Sequence, residues 1–263
     1  MRLWYQLVSS ETGMNHFVAA CQTLVDRAKS SGTTVEVRGT QNGALADQYR
    51  LFMNYDVREV IDLGLRIRNK GGYDAFVLAN SFDPGLVELR EMLDIPVVSF
   101  MEVSCFTACM MGERFGVVGP NQKFIPRYRE IIHGYGLRDR LASVEGIEFD
   151  NIRGLNDVFV DRAAGDRAIE QIMLATRRTI AAGAEVVIPA GPATALLAIR
   201  GIFELEGVPL LDCNSLLVKT AETMAEMKRL TGTHISRRLL YQAPSEELVR
   251  RVAELRGIDL LKR

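Results

Sequence analysis

The chain has 263 residues, 48% hydrophobic and 25% charged, with 32 basic and 33 acidic side chains giving a formal net charge of -1. That balance excludes the one-signed field of a nucleic-acid binder, and no stretch approaches the ~20 apolar residues of a membrane span. The length suffices for one large core or two small ones.

Residues 1–6 run straight into an apolar strand pattern at 3–8, without the apolar region and cleavage site of a signal peptide. The four cysteines, Cys21, Cys105, Cys109 and Cys213, show no disulfide-framework spacing. Both features lead to the expectation of a reduced, cytoplasmic protein. Further strands are expected at 34–38, 75–78, 96–100, 115–118, 141–144, 185–188 and 208–211. Helices are expected at about 14–30, 56–70, 84–93, 102–112, 122–134, 161–182, 192–206 and 214–230. Most of the strands are continuous apolar runs, as in parallel sheets buried on both faces. Their alternation with helices predicts an α/β fold with right-handed crossovers. Beyond 231 the chain turns polar, and Ser245 suits the cap of a last helix at about 246–256.

The chain echoes itself. Residues 73–80 (Tyr-Asp-Ala-Phe-Val-Leu-Ala-Asn) resemble 183–190 (Gly-Ala-Glu-Val-Val-Ile-Pro-Ala), and 3–8 and 115–118 each open a run of four strands. The expected architecture is two pseudosymmetric lobes, each a mainly parallel four-stranded sheet flanked by helices, with a cleft between them. Residues 1–112 plus 216–263 would form the first lobe and 113–215 the second. Ligands of open α/β sheets bind outside the carboxyl ends of the strands. The turns to inspect are therefore Ser9-Ser10, Asn80-Ser81, Met101-Glu102, Gly119-Pro120-Asn121, Pro189-Ala190-Gly191 and Asp212-Cys213-Asn214.

Asn80 and Ser81 precede a helix, where backbone N–H groups can hold a carboxylate or ring carbonyl. Asp83 suits an N-cap, with Pro84 as first helical residue. Gly191-Pro192 either turns the chain or lets a ligand approach the backbone. Asn121 suits a cap whose side chain can also reach a polar ligand. Glu102 and Asp212 follow corresponding strands; each is either a dipole-favoured residue at a helix start or an acid/base group in the cleft. Cys213, at a strand end, is the best thiol candidate, although free cysteines are usually small buried hydrophobes. His16, His133 and His234 do not cluster, so no metal site is expected. Nucleotide-binding glycine motifs and a serine-hydrolase elbow are absent from the sequence.

Residues 1–6, Asn80–Leu86 with its Asp-Pro-Gly-Leu, Ile95-Pro96-Val97-Val98 and Arg114-Phe115-Gly116-Val117-Val118 resemble the hydantoin racemase branch of the aspartate/glutamate racemase superfamily. The resemblance covers roughly 1–230. It implies two lobes around one active site, an oligomer of identical chains, no cofactor, and two cysteines, one per lobe. One thiolate removes the proton α to a carbonyl and the other thiol delivers a proton on the opposite face. Here the first of those positions falls at Asn80 and the second at Ala190, or at Gly191 one residue on. An amide is a very poor base and alanine has no group to offer, so the two-thiol mechanism does not carry over. What survives is a cradle for a small carboxylate or cyclic ureide: Asn80, Ser81, Asn121, Gln122, Ala190 and Gly191. Glu102, Cys213 and Asp212 are the candidates for proton transfer.

Three readings stay open at this point. The first is an isomerase-type or decarboxylating enzyme working through an enolate with other groups. The second is a racemase with carboxylates in place of thiols. The third is a non-catalytic small-molecule binding protein.

Overall fold

The computed structural model describes residues 1–149 and 152–257; the expected first lobe therefore ends, at 258–263, outside the described residues. Parallel strands β1 (Arg2–Ser10), β2 (Thr34–Thr40), β3 (Ala75–Leu78) and β4 (Val97–Ser99) form one sheet in the order β2-β1-β3-β4. Strands β5 (Phe115–Gly119), β6 (Leu141–Gly146) and β7 (Val186–Pro189) form a second parallel sheet in the order β6-β5-β7. The internal echo becomes a topological one. β5 is flanked by β6 and β7 as β1 is by β2 and β3, with Leu3 level with Ala75 and Phe115 level with Val186. β3, β4, β5 and β7 are buried throughout, matching their unbroken apolar sequences.

The second sheet departs from the expected four strands. Its would-be fourth strand is reduced to a single parallel bridge between Val187 and Leu210. Pro209 has no N–H to donate to a ladder. The preceding residues instead fold back as a hairpin of β8 (Glu204–Leu205) and β9 (Val208–Pro209), whose turn places Glu206 and Gly207 at φ 55° and 80°. The helix expected over 192–206 accordingly stops early, as α7 (Pro192–Ile199).

The remaining helices are α1 (Asn15–Ala28), α2 (Arg50–Lys70), α3 (Leu86–Met92), α4 (Phe100–Met111), α5 (Ile125–Gly134), α6 (Arg162–Ala181), α8 (Cys213–Thr231) and α9 (Glu246–Arg256). α2 begins six residues before the expected 56, leaving 41–49 as a compact connection after β2. One apolar core runs from the first sheet through Phe100, Met101, Cys105 and Ala108 of α4 and Leu217, Val218 and Ala221 of α8 to Val117 and Ile188 of the second sheet. A second core, including Ile172, Leu196 and Leu197, lies under α6 and α7.

Polar contacts also tie distant elements together. α1 has no capping side chain of its own; Asn156, just before α6, accepts the His16 and Phe17 N–H groups at 3.0 and 3.2 Å. α8 is tied to the turn after α1 by Glu222, which accepts from the Ser30 N–H and hydroxyl, both at 2.8 Å, and from Lys219 Nζ at 3.0 Å. Burial pushes the Glu222 carboxyl up, but the Ser30, Thr33 and Lys219 hydrogen bonds outweigh it and hold it down at about 2. A depressed carboxylate contributes stability that is complete above its unfolded value and is lost as pH falls toward the folded one. Glu222→Gln is therefore expected to cost about 2 kcal/mol at pH 7. Urea unfolding should show that difference shrinking between pH 4.5 and pH 2.

Candidate active site

A cavity lies where the carboxyl ends of both sheets converge. Its walls come from five of the six inspected turns, through Ser9, Asn80, Ser81, Pro120, Gly191 and Asn214; Phe100 comes in just before the sixth. Phe17 of α1 and Phe82, Phe124 and Tyr128 complete an aromatic side. The enclosed space is only about 30 Å³, room for about two waters. Admission of a substrate therefore requires the walls to part.

The turn after β3 is the most heavily constrained wall. Asn80 Oδ1 accepts the Phe82 N–H at 3.0 Å, so its carbonyl oxygen is committed to the turn. Ser81 Oγ and Tyr128 OH are 2.9 Å apart, and Phe82 stacks on Tyr128 and Phe124 with centroids 4.6 and 5.0 Å apart. Asp83 adopts a positive φ of 46° and caps a different helix from the one expected. Its carboxylate accepts the Met101 and Glu102 N–H groups of α4, each at 2.9 Å, and the Tyr135 hydroxyl at 2.5 Å. The residue before α3 is instead Gly85, at φ 80°, with no capping side chain. Burial pushes the Asp83 carboxyl up to about 6 against the pull of those three donors.

Across the cavity, Ala190 and Gly191 part company. Ala190 is wholly buried, its N–H donated to Val118 O at 2.8 Å, and it is not among the lining residues. Gly191 lines the cavity at φ 62°, a backbone that disfavours any side chain, and an added Cβ would lie 3.4 Å from Pro120 Cγ. Asn80 and Gly191 thus meet at one cavity.

The other expected site residues lie off the lining. Glu102 is paired with Arg90 of α3 at 2.9 and 2.5 Å. Asp212 caps α8, accepting the Ser215 N–H at 3.2 Å and hydroxyl at 2.5 Å. The Cys213 thiol is fully buried beside the Leu211 and Pro189 carbonyls, and burial pushes it up to about 12. Asn121 accepts the Lys123 N–H at 3.0 Å and donates to Phe149 O at 3.2 Å, while Gln122 is exposed, 3.4 Å from Gly146 O. In each case the side chain is turned to a local capping or pairing partner. No cluster of three or more His, Cys, Asp or Glu side chains able to hold a metal occurs among the described residues.

Two lining residues outside the expected site set carry buried, unsatisfied polar atoms. Asp47, in the 41–49 connection, is 4% exposed and its Oδ1 has no hydrogen-bond partner. Burial, then the charge of Asp56, pushes its carboxyl up to about 6; its own and Gln48's backbone N–H and the charge of Arg127 oppose this. Asn214 accepts the Tyr5 hydroxyl at 2.7 Å, leaving its buried Nδ2 unpaired. Leu45-Ala46-Asp47-Gln48 matches no strand end or helix start, so its sequence gives no signal. Asn214 was in view as part of the Asp212-Cys213-Asn214 turn.

A model of the Asp/Glu/hydantoin racemase family matches residues 9–221. The chain is 30% identical over 161 residues to a hydantoin racemase of Pseudomonas sp. strain NS671, a match spanning 61% of this chain and 62% of that relative. It is 24% identical over 230 residues to a hydantoin racemase of Paenarthrobacter aurescens, covering 88% and 89% of the two chains. The structure is similar to that of allantoin racemase from Klebsiella pneumoniae, with a TM-score of 0.79, 21% identity and 94% of each chain covered.

Two outcomes follow from these geometries. Asp83→Ala removes a helix cap and leaves buried donors unpaired; urea unfolding at pH 7 should show a loss of about 2–4 kcal/mol. Asp47 is also raised, but its Oδ1 has no donor to leave unpaired. A carboxyl raised in the folded state favours folding most below its unfolded value, and that contribution is lost as pH rises through about 6. Asp47→Asn should therefore raise stability at pH 8 by on the order of 2 kcal/mol, and by little at pH 4, read from melting curves at the two pH values.

Proposed function

The chain belongs to the Asp/Glu/hydantoin racemase family, and on that premise we propose that it is an enzyme acting at the carbon next to a carbonyl in a small cyclic ureide or related carboxylate, through an enolate-type intermediate. The observation that carries this reading is the cavity itself. It is built from the strand ends of both sheets, and two of its lining residues, Asp47 and Asn214, keep a buried polar atom without a hydrogen-bond partner.

The ligand chemistry follows from those groups. Asn214 Nδ2 and the NH₂ of Asn80 are donors suited to a carbonyl oxygen, and strongest toward one gaining negative charge. Asp47 Oδ1 is an acceptor suited to a ring N–H or an acidic C–H. A ureide presents N–H and C=O groups side by side and matches both. The aromatic side formed by Phe17, Phe82, Phe124 and Tyr128 gives a flat ring an apolar surface. The wholly buried Cys213 thiol, raised to about 12, is ill suited to act as a thiolate near neutral pH.

The test is proton exchange at carbon. Allantoin, 5-substituted hydantoins, aspartate and glutamate are incubated with the protein in D₂O, and loss of the α-proton signal is followed by NMR. Enzyme-dependent exchange of a ureide is the expected result, and Asn80→Ala should lower its kcat/KM about tenfold through the loss of one hydrogen bond. Exchange of aspartate or glutamate alone would move the substrate class to amino acids. Absence of exchange across the panel would overturn the enolate reading.

A further inference from the structure

The cavity has one group equipped to move a proton, and it stands on a segment that carries no recognisable motif. We propose that Asp47 takes the α-proton of the substrate and returns it to the same face, so that this site performs one-sided proton transfer; the proposal rests on the function put forward above. Asp47 lines the cavity, is 4% exposed and keeps Oδ1 free of hydrogen bonds. Among the described lining residues only Asp47 and Tyr128 carry titratable side chains. The Tyr128 hydroxyl is engaged with Ser81 Oγ at 2.9 Å, and burial drives its ionisation further from neutrality.

The step balances without a further reactant. An Oδ1 electron pair takes the proton, the C–H bonding pair moves into the C–C bond, and the carbonyl π pair moves onto oxygen. Asn214 Nδ2, buried and unpaired, is placed in the same cavity to donate to that oxygen. Reversal returns the proton, or a solvent-derived deuteron, to carbon from the carboxyl that removed it. Inversion by direct transfer would need a second group free to give a proton on the opposite face; among the described lining residues the remaining acid, the Tyr128 hydroxyl, is engaged with Ser81 Oγ.

The charges facing Asp47 are Asp56 of α2, which favours its protonated form, and Arg127 of α5, which favours the ionised form; Tyr128 of α5 is neutral at working pH. With these neighbours its carboxyl titrates at about 6. A base must be ionised, so the exchange rate should rise with pH through that value and then level.

The experiment follows the α-proton of L-5-isobutylhydantoin in D₂O by NMR and its configuration by chiral chromatography, for wild type, Asp47→Asn and Asp47→Glu. Exchange in wild type should outrun inversion at least about tenfold. Asp47→Asn should lose about 10²-fold or more of the exchange rate together with the rising pH limb. It should still melt cooperatively at pH 8, at or above the wild-type temperature, a readout of an intact fold. Asp47→Glu should recover part of the rate with a displaced limb. Wild-type exchange that survives in Asp47→Asn, or inversion as fast as exchange, overturns the role of Asp47 and leaves the proposed function standing. No wild-type exchange with this ureide or any other ureide of the panel defeats both.

Discussion

Asp83 sets the constraint on which the site depends. One buried carboxylate holds the first two N–H groups it reaches in α4 and the Tyr135 hydroxyl at the end of α5. α4 belongs with the first sheet, and α5 follows the central strand of the second. The same short turn places Asn80 and Ser81 in the cavity wall and stacks Phe82 against the α5 rings. Burying a carboxylate is unfavourable unless donors compensate. Here three do, and the carboxyl is still raised to about 6. The left-handed conformation of Asp83, which aspartate tolerates better than most residues, points the side chain at α4 rather than along α3.

Around that pin the two sheets share a continuous apolar core through α4 and α8. The cavity is the place where this core gives way to polar groups. At about 30 Å³ it is smaller than a ring-sized ligand, so binding and opening are coupled. The 41–49 connection bearing Asp47 is held to the second half from outside, with Arg153 donating to Asn42 O at 3.1 Å and Lys123 lying 5.5 Å from the Tyr49 ring centre. To the first half it is bound by Ser10, whose hydroxyl donates to Gln41 O at 2.8 Å and whose N–H donates to Gly43 O at 3.2 Å. One wall of the cavity thus carries the Asn80 and Ser81 side chains, and this connection carries the carboxylate.

The same physics separates the acidic residues. Glu102 and Asp212 sit at helix starts, where exposed N–H groups and neighbouring cations satisfy carboxylates. They find Arg90 and Ser215. Asp47 has only backbone N–H groups within its own turn and the more distant Arg127 charge, so part of its hydrogen-bonding capacity remains for a ligand. A carboxylate in local balance stabilises the fold; one left partly unbalanced in an enclosed space is the better instrument for proton transfer.

Continuous apolar strands, their alternation with helices and the echo between residues 73–80 and 183–190 determined the α/β class and the two related sheets, because burial on both faces of a parallel strand writes itself into consecutive residues. The strand ends were legible for the same reason, and Asn80, Ser81 and Gly191 came with them. The α2 start, the hairpin at 204–209 and the reduction of the fourth strand were not, since local capping is absent at Tyr49 and the effect of Pro209 depends on which neighbour would have accepted its missing N–H. Side-chain partnership was likewise decided only by the tertiary structure. Asp83 is separated by 18 residues from the helix it caps, and Asp47 by 33 from Asn80 and 144 from Gly191. Sequence alone named the residues able to carry charge; only the folded chain determined which of them were left without a partner, because pairing depends on proximity in space and not along the chain.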